Sequence, residues 1–328
     1  VHDPGPLAPD PGLHGGPIVY REMARGGHLP LRVMANVRED QLEGAIEIGF
    51  RSGLTFEDDE RGRYRDGWLK LFADGALGSR TASLLASYEP DQQAGPPPGG
   101  PRGMRVRTGE QLTELAVRAA EAGIASEIHA IGDAAVRTVL DVIESLPAVA
   151  GAMHRVEHAQ MIDPADIGRF AASGIPASVQ PCHLLSDAAA MRRAWGARAA
   201  NAFPLAALDV PGALLPFGTD APVESADPWP GLAGAVTRRG PGWGANDAFH
   251  PEQALGLDRA LRGACLDGPR SARVGDQGHL GVGARADLLV VPAAIFDEPA
   301  DPDVLGRARP LDTLLDGEVV YRSPSFEP

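Results

Sequence analysis

Lysine is almost missing from this chain. Of its thirty basic side chains all but one are arginine, and the exception is Lys70, in Trp68-Leu-Lys-Leu-Phe-Ala-Asp-Gly75. A guanidinium is never deprotonated in a protein, so arginine cannot supply a free amine. A lysine kept where arginine serves everywhere else therefore points to amine chemistry, either a Schiff base or a carbamate. Cysteine is nearly as scarce. Cys182 and Cys265 make no disulfide framework, which fits a reducing compartment and a cytoplasmic location. No apolar run reaches the roughly 18 residues of a membrane span. Positive charge is also short, and a formal net charge of -14 argues against nucleic acid or an anionic membrane as partner. The chain opens Val-His-Asp-Pro rather than on a methionine, and so reads as a piece of something longer.

Apolar residues are plentiful, at 44% of 328 positions, enough for one large α/β domain with an appendage. Strand-length apolar runs alternate with helical patterns. Residues 29–37, 67–73, 124–131, 154–159, 175–180 and 214–218 read as strands, with helices expected at 39–51, 112–123, 133–146, 163–173 and 188–200. Thr108 with Gln111 has the form of a capping box. Asp163-Pro164 supplies a cap and a first-turn proline, and Gly174 a stop. Residues 18–24 look like a helix following a strand at Val1. This rhythm predicts a parallel sheet with helices outside it, and seven strands suit a (β/α)₈ TIM-type barrel lacking its first strand. Residues 75–107 form a long loop around Pro96-Pro-Pro-Gly-Gly-Pro101, expected to be a lid or a mobile segment. The texture changes after residue 274. The expected division is a barrel over residues 1–274, and part of a small β-sandwich over residues 275–328.

In a parallel barrel the working side chains stand at the C-terminal ends of the strands. That rule selects Lys70, His129, His158, Gln180 and Asp220. Two imidazoles, an amine and a carboxylate on one rim suit a divalent metal, provided the amine is converted to an anionic carbamate. His183 stands at the same rim and is a candidate for substrate contact, as is Arg80 on the long loop. His154 and Glu157 flank His158 and are expected to support it. His2, His14, His28, His250 and His279 read as solvated. Cys182 has no paired base in its neighbourhood, which argues against a nucleophile.

At these residues the sequence resembles the amidohydrolase superfamily, and within it metal-dependent amidohydrolase family 3. The likeness is carried by Lys70-Leu-Phe-Ala-Asp-Gly-Ala-Leu-Gly-Ser-Arg-Thr-Ala82, His129-Ala-Ile-Gly-Asp-Ala-Ala-Val136, His154-Arg-Val-Glu-His-Ala-Gln160, Ala177-Ser-Val-Gln-Pro181 and Phe217-Gly-Thr-Asp-Ala-Pro222. Leu280-Gly-Val-Gly-Ala-Arg-Ala-Asp-Leu-Leu-Val-Val291 resembles the segment that returns to the family's β-sandwich. The resemblance implies a barrel holding one or two zinc ions. Lys70, carbamylated by CO2, His129 and His158 would be ligands, and Asp220 both a ligand and the proton-handling carboxylate. The implied reaction is hydrolysis of a C–N bond in a small amide, an N-acyl or an N-formyl amine. Arg80, Gln180 and His183 would face the substrate, and a homo-oligomer is compatible with this pattern.

One departure from the family stands out. A His-x-His pair is expected at the end of its first strand, and this sequence contains none. Two rival readings follow: a truncated, inactive chain that needs a missing segment or a partner, and a Schiff-base lyase built on Lys70. The second leaves both strand-end histidines and Asp220 without a role.

Overall fold

A computed structural model describes residues 1–6, 13, 16–297 and 300–326, which leaves His14 outside the described residues. Six strands form one wholly parallel sheet in sequence order. They are β1 (His2–Asp3), β2 (Val33–Arg38), β3 (Tyr64–Phe72), β4 (Ser126–Ala130), β5 (Arg155–His158) and β6 (Ala177–Ser178). Helices α1 (Pro17–Arg25), α2 (Leu42–Glu47), α3 (Gly109–Glu121), α4 (Asp133–Ser145) and α5 (Pro164–Ser173) fill the successive crossovers, and α6 (Pro181–Trp195) follows β6. Every neighbour being also the next strand in sequence is the signature of a barrel rather than of a doubly wound sheet. The result is a partial (β/α) barrel.

Local chemistry explains the element ends. The Thr108 hydroxyl accepts from Gln111 N while the Gln111 side chain accepts from Thr108 N, closing the expected capping box of α3. Asp163 caps α5, and Gly174 ends it in the left-handed conformation at φ 64°. Several boundaries differ from expectation, β3 beginning at Tyr64 and α2 covering only Leu42–Glu47, and two of the differences bear on the site. Helix α6 begins at Pro181, not at residue 188, because a proline in the first turn starts a helix at no hydrogen-bonding cost. Residues 214–218 lie beside β6 but make only an isolated parallel bridge, Val179 with Phe217. Their carbonyls at Leu214 and Pro216 accept from Ala177 N and Val179 N, whereas Pro216 has no N–H to donate.

The two faces of the sheet carry opposite chemistry. Outward, Leu69, Leu71, Ile128 and Val156 bury against Leu112, Ala116, Val136, Val139 and Leu140 of α3 and α4. Inward stands a charged layer. The Arg155 guanidinium pairs with Glu127 and with Glu157, both at 2.5 Å, and lies 4.0 Å over the Trp68 ring. Lys70 Nζ reaches Glu127 at 3.6 Å. Arg155 Nη1 is also 2.9 Å from His2 Nδ1, and the His2 ring packs 4.9 Å from Trp68. His2 is therefore part of the barrel interior and not a solvated terminal residue. Burial opposes the charge of Glu127, but Arg155 and Lys70 hold its carboxyl below the usual range. His28 and His279 are exposed, and His250 is partly so, as expected.

A separate antiparallel sheet comprises β7 (Leu288–Val290), β8 (Asp312–Leu315) and β9 (Glu318–Arg322). Asp316-Gly317, both at positive φ, supplies the tight β8–β9 turn. Arg32 ties this sheet to the barrel by pairing with Asp287 and Asp316.

Removing one member of a buried ion group leaves the others uncompensated, which costs about 3–5 kcal/mol. Arg155→Met is expected to lower urea-denaturation stability by that order, and a loss under 1 kcal/mol would mean that Glu127 and Glu157 do not depend on it.

Candidate metal centre

Side chains from β3, β4, β5 and the 214–218 segment stand at and above the charged layer. Lys70 stands on β3 beside Glu127. His129, near the end of β4, has its Nε2 2.9 Å from Gly75 O and 3.5 Å from Asp74 Oδ1. His158 is the last residue of β5, at φ 71°, and Asp220 follows the 214–218 segment at φ 57°. Left-handed backbone is costly for a side-chain-bearing residue, and its presence at two strand ends fits functional positions. The imidazoles of His129 and His158 are 4.5 Å apart, ring centre to ring centre, and those of His158 and His183 are 6.1 Å apart.

His183 belongs to the centre more closely than its sequence suggested. It sits in the first turn of α6, with Nε2 3.4 Å from Asp220 Oδ2 and Nδ1 4.0 Å from Glu224 Oε1. Donor atoms of His158, His183 and Asp220 all lie within 4.8 Å of one another. His183 Nε2 is buried and makes no hydrogen bond, and neither does Gln180 Oε1. Buried polar atoms are rarely left unpaired. An orphaned nitrogen facing a carboxylate fits a cation better than it fits empty space.

The protonation states agree. Burial, with the positive charge of Lys70 next, drives His129 down to about 4. Burial drives His158 well below its ordinary value, helped by His129, Lys70 and His183. Both rings are thus neutral at pH 7, as a metal ligand must be. The residues present fit a divalent cation.

The remaining expected residues divide. Gln180 caps α6 at the rim, its amide 3.4 Å from Ser178 O and 3.5 Å from Glu157 Oε2. Arg80 is turned elsewhere: its guanidinium donates to Gly95 O and Glu89 O and lies 5.5 Å over Tyr88, bracing the long loop. His154 is structural, accepting from Ser126 N and bonded to Pro147 O. Burial pushes the Cys182 thiol up to about 12, so it is no nucleophile at neutral pH. One residue escaped sequence reasoning. The Asp74 carboxylate accepts from Ser83 N, Ile131 N and Gly132 N, binding the start of the long loop to the end of β4 beside His129. Its position in an Asp-Gly pair just past a strand was the available signal. The loop itself is anchored, burying Leu77, Leu84 and Tyr88 in the main core.

Comparison with known proteins gives the family of the chain. The amidohydrolase family profile matches residues 13–321. The chain belongs to amidohydrolase family 3. Within it, the chain is 30% identical over 309 residues to YtcJ of Bacillus subtilis (strain 168), which is named as an amidohydrolase. That match covers 92% of this chain and 54% of YtcJ. It is 27% identical over 318 residues to the N-substituted formamide deformylase of Arthrobacter pascens, covering 92% of this chain and 54% of that protein. A crystal structure of a metal-dependent hydrolase from Pyrococcus horikoshii OT3 superposes with a TM-score of 0.69 at 30% identity, over 81% of this chain and 51% of that one. The chain thus spans about half the length of the curated relatives it matches.

Buried neutral imidazoles make the fold sensitive to acid. Below the ordinary imidazole value of 6.5 the unfolded chain takes up protons that His129 refuses until about pH 4. Stability is present above that ordinary value, and is lost as pH falls toward 4, by roughly 1.4 kcal/mol per pH unit for each such residue. Urea melts across this range test it, and unchanged stability between pH 7 and pH 5 would show these imidazoles to be solvated.

Proposed function

We propose that this chain carries the metal centre of a hydrolase that cleaves a C–N bond, in an amide or an N-acyl or N-formyl amine. The observation that carries the reading is the convergence of His158, His183 and Asp220 donor atoms within 4.8 Å, with the His158 imidazole held neutral by burial and a His183 nitrogen without a hydrogen bond. The name of the Arthrobacter relative, an N-substituted formamide deformylase, supports the bond class. The assignment of residues 1–274 to the barrel and 275–328 to a smaller β unit belongs to the same reading.

His129, His158, His183 and Asp220 would hold the ion, with zinc the natural choice for nitrogen and carboxylate ligands. Lys70 would join them only as a carbamate, its neutral amine forming an N–C bond to CO2 and releasing one proton to solvent. That reaction replaces the positive partner of Glu127 with a negative one, a change that a cation in the site offsets. When bound, a divalent ion supplies Lewis acidity, which polarises a carbonyl and brings the pKa of a water to about 7. Asp220 takes the proton of the attacking water and delivers it to the departing nitrogen, acting first as base and then as acid. His183 Nε2 lies 3.4 Å from the Asp220 carboxylate, so that one ion could reach both. Gln180, with an unpaired carbonyl oxygen at the rim, is placed to accept a substrate N–H.

A second reading is favoured by one observation. Among the described residues β1 pairs only with β2, leaving an open sheet edge. On that reading the chain needs a further segment or a partner chain before it turns over substrate.

Elemental analysis with native mass separates the two. Wild-type protein is expected to carry one or two zinc ions, Lys70→Ala to lose most of its metal, and short-chain carboxylates to restore part of it. Undiminished zinc in Lys70→Ala would remove Lys70 from the site, and folded wild-type protein free of metal would leave the second reading standing.

A further inference from the structure

Asp220 is carried by a segment, residues 214–218, that is bonded to a strand on one side only. On that side Leu214 O and Pro216 O accept from Ala177 N and Val179 N, and Gly218 N donates to Val179 O. The N–H groups of Leu215 and Phe217 find their acceptors elsewhere, in a helical stretch much later in the chain. Leu215 N donates to Asp267 Oδ2, and Phe217 N to Gly263 O, both at 2.9 Å.

Gly263–Asp267 is a single π-helical turn that continues the helix Leu257–Arg262. Such turns are rare and gather at functional sites. This one fits closely against the segment. A Cβ on Gly263 would lie 2.8 Å from Phe217 Cε1 and 2.9 Å from Leu215 O. Asp267 is buried, and its Oδ2 also accepts from Arg259 Nη1 at 2.9 Å. Arg259 donates in turn to Asp209 Oδ1 and, at 3.5 Å, to Ala213 O, in the stretch that leads into the segment. A buried backbone N–H needs an acceptor, and one carboxylate here does what a neighbouring strand does in a closed sheet.

We propose that Asp267 is a positioning residue for the metal centre. By holding Leu215 N it sets where the 214–218 segment lies along β6, and so where the Asp220 carboxylate meets His158 and His183. Only Thr219 separates Asp220 from the bonded stretch, so a slide of the segment arrives at the carboxylate. The proposal rests on the hydrolase reading, in which Asp220 holds the ion.

The test compares the purified full chain as wild type, Asp267→Ala, Asp267→Asn, Asp220→Asn and the double variant Asp267→Ala/Asp220→Asn. Zinc affinity is read by competition with a chromophoric chelator, ligand geometry by the visible spectrum of bound Co²⁺, and stability by melting temperature. Crystal structures of zinc-free wild type and zinc-free Asp267→Ala give the His183–Asp220 separation with no ion present.

Asp267→Ala is expected to weaken zinc binding about tenfold to a hundredfold, the range for residues that support a ligand, and to alter the Co²⁺ spectrum. Asp267→Asn keeps an oxygen for Leu215 N and should restore most of the affinity. In the Asp220→Asn background Asp267→Ala should cost nothing further, because the group it places is already gone. Equal losses in both backgrounds, or an unchanged affinity in Asp267→Ala, would overturn the proposal. Asp267→Glu keeps the carboxylate on a longer arm and carries the same cycle if the alanine variant does not fold. Wild-type protein that takes up no zinc would sink the hydrolase reading, and the zinc-free crystal structures would still decide the role of Asp267. The 3.4 Å approach of His183 Nε2 to Asp220 Oδ2 must then open in Asp267→Ala, and an unchanged separation would count against it.

Discussion

Four charges, Arg155 between Glu127 and Glu157 with Lys70 against Glu127, occupy the inside of the barrel where other parallel barrels place branched aliphatic side chains. Burying them is costly unless each finds a partner, and the parallel register provides the partners. Lys70 is level with Glu127, and Glu127 with Arg155. A one-residue slip of any of these strands would turn its charge toward α3 and α4, into the apolar core. The layer thus specifies strand order and register together. His129, two residues beyond Glu127, is delivered to the rim by the same alternation, whereas His158, one beyond Glu157, turns there through the left-handed backbone at φ 71° that ends β5.

Above that layer the site is assembled from pieces of different rigidity. His129 and His158 stand on strands, His183 on the first turn of a helix, and Asp220 on an irregular segment. The strand-borne imidazoles are fixed by the sheet. The other two groups depend on packing and on each other, His183 Nε2 lying 3.4 Å from Asp220. Asp74 links the two regimes, since its carboxylate gathers N–H groups from the long loop and from the end of β4. The conformation of the loop and the seat of His129 are thereby coupled.

Much of this was legible in the sequence, for identifiable reasons. Alternating βα pattern and strand-end position singled out Lys70, His129, His158 and Asp220 as candidates, because a parallel barrel projects its strand-end side chains to one rim, and the structure brings His158 and Asp220 of this set together with His183. Capping signals at Thr108 and Asp163 were local and so were read correctly. His183 was read only as a substrate contact, since its proximity to Asp220 depends on α6 starting at Pro181. His2 looked like a solvated terminus because nothing local announces that two residues form a strand against β2. Asp74 escaped because its role depends on which backbone N–H groups the folded loop and the end of β4 bring to it, of which the Asp-Gly pair gives only a hint.

Lys70 bears the chain's only ε-amine, and that amine is enclosed by the fold beside Glu127. Reagents that acylate lysine therefore find one side-chain target in the chain, and it lies inside the barrel. The sequence has in effect equipped the protein with a single internal reporter, whose labelling rate reads access to the chamber itself.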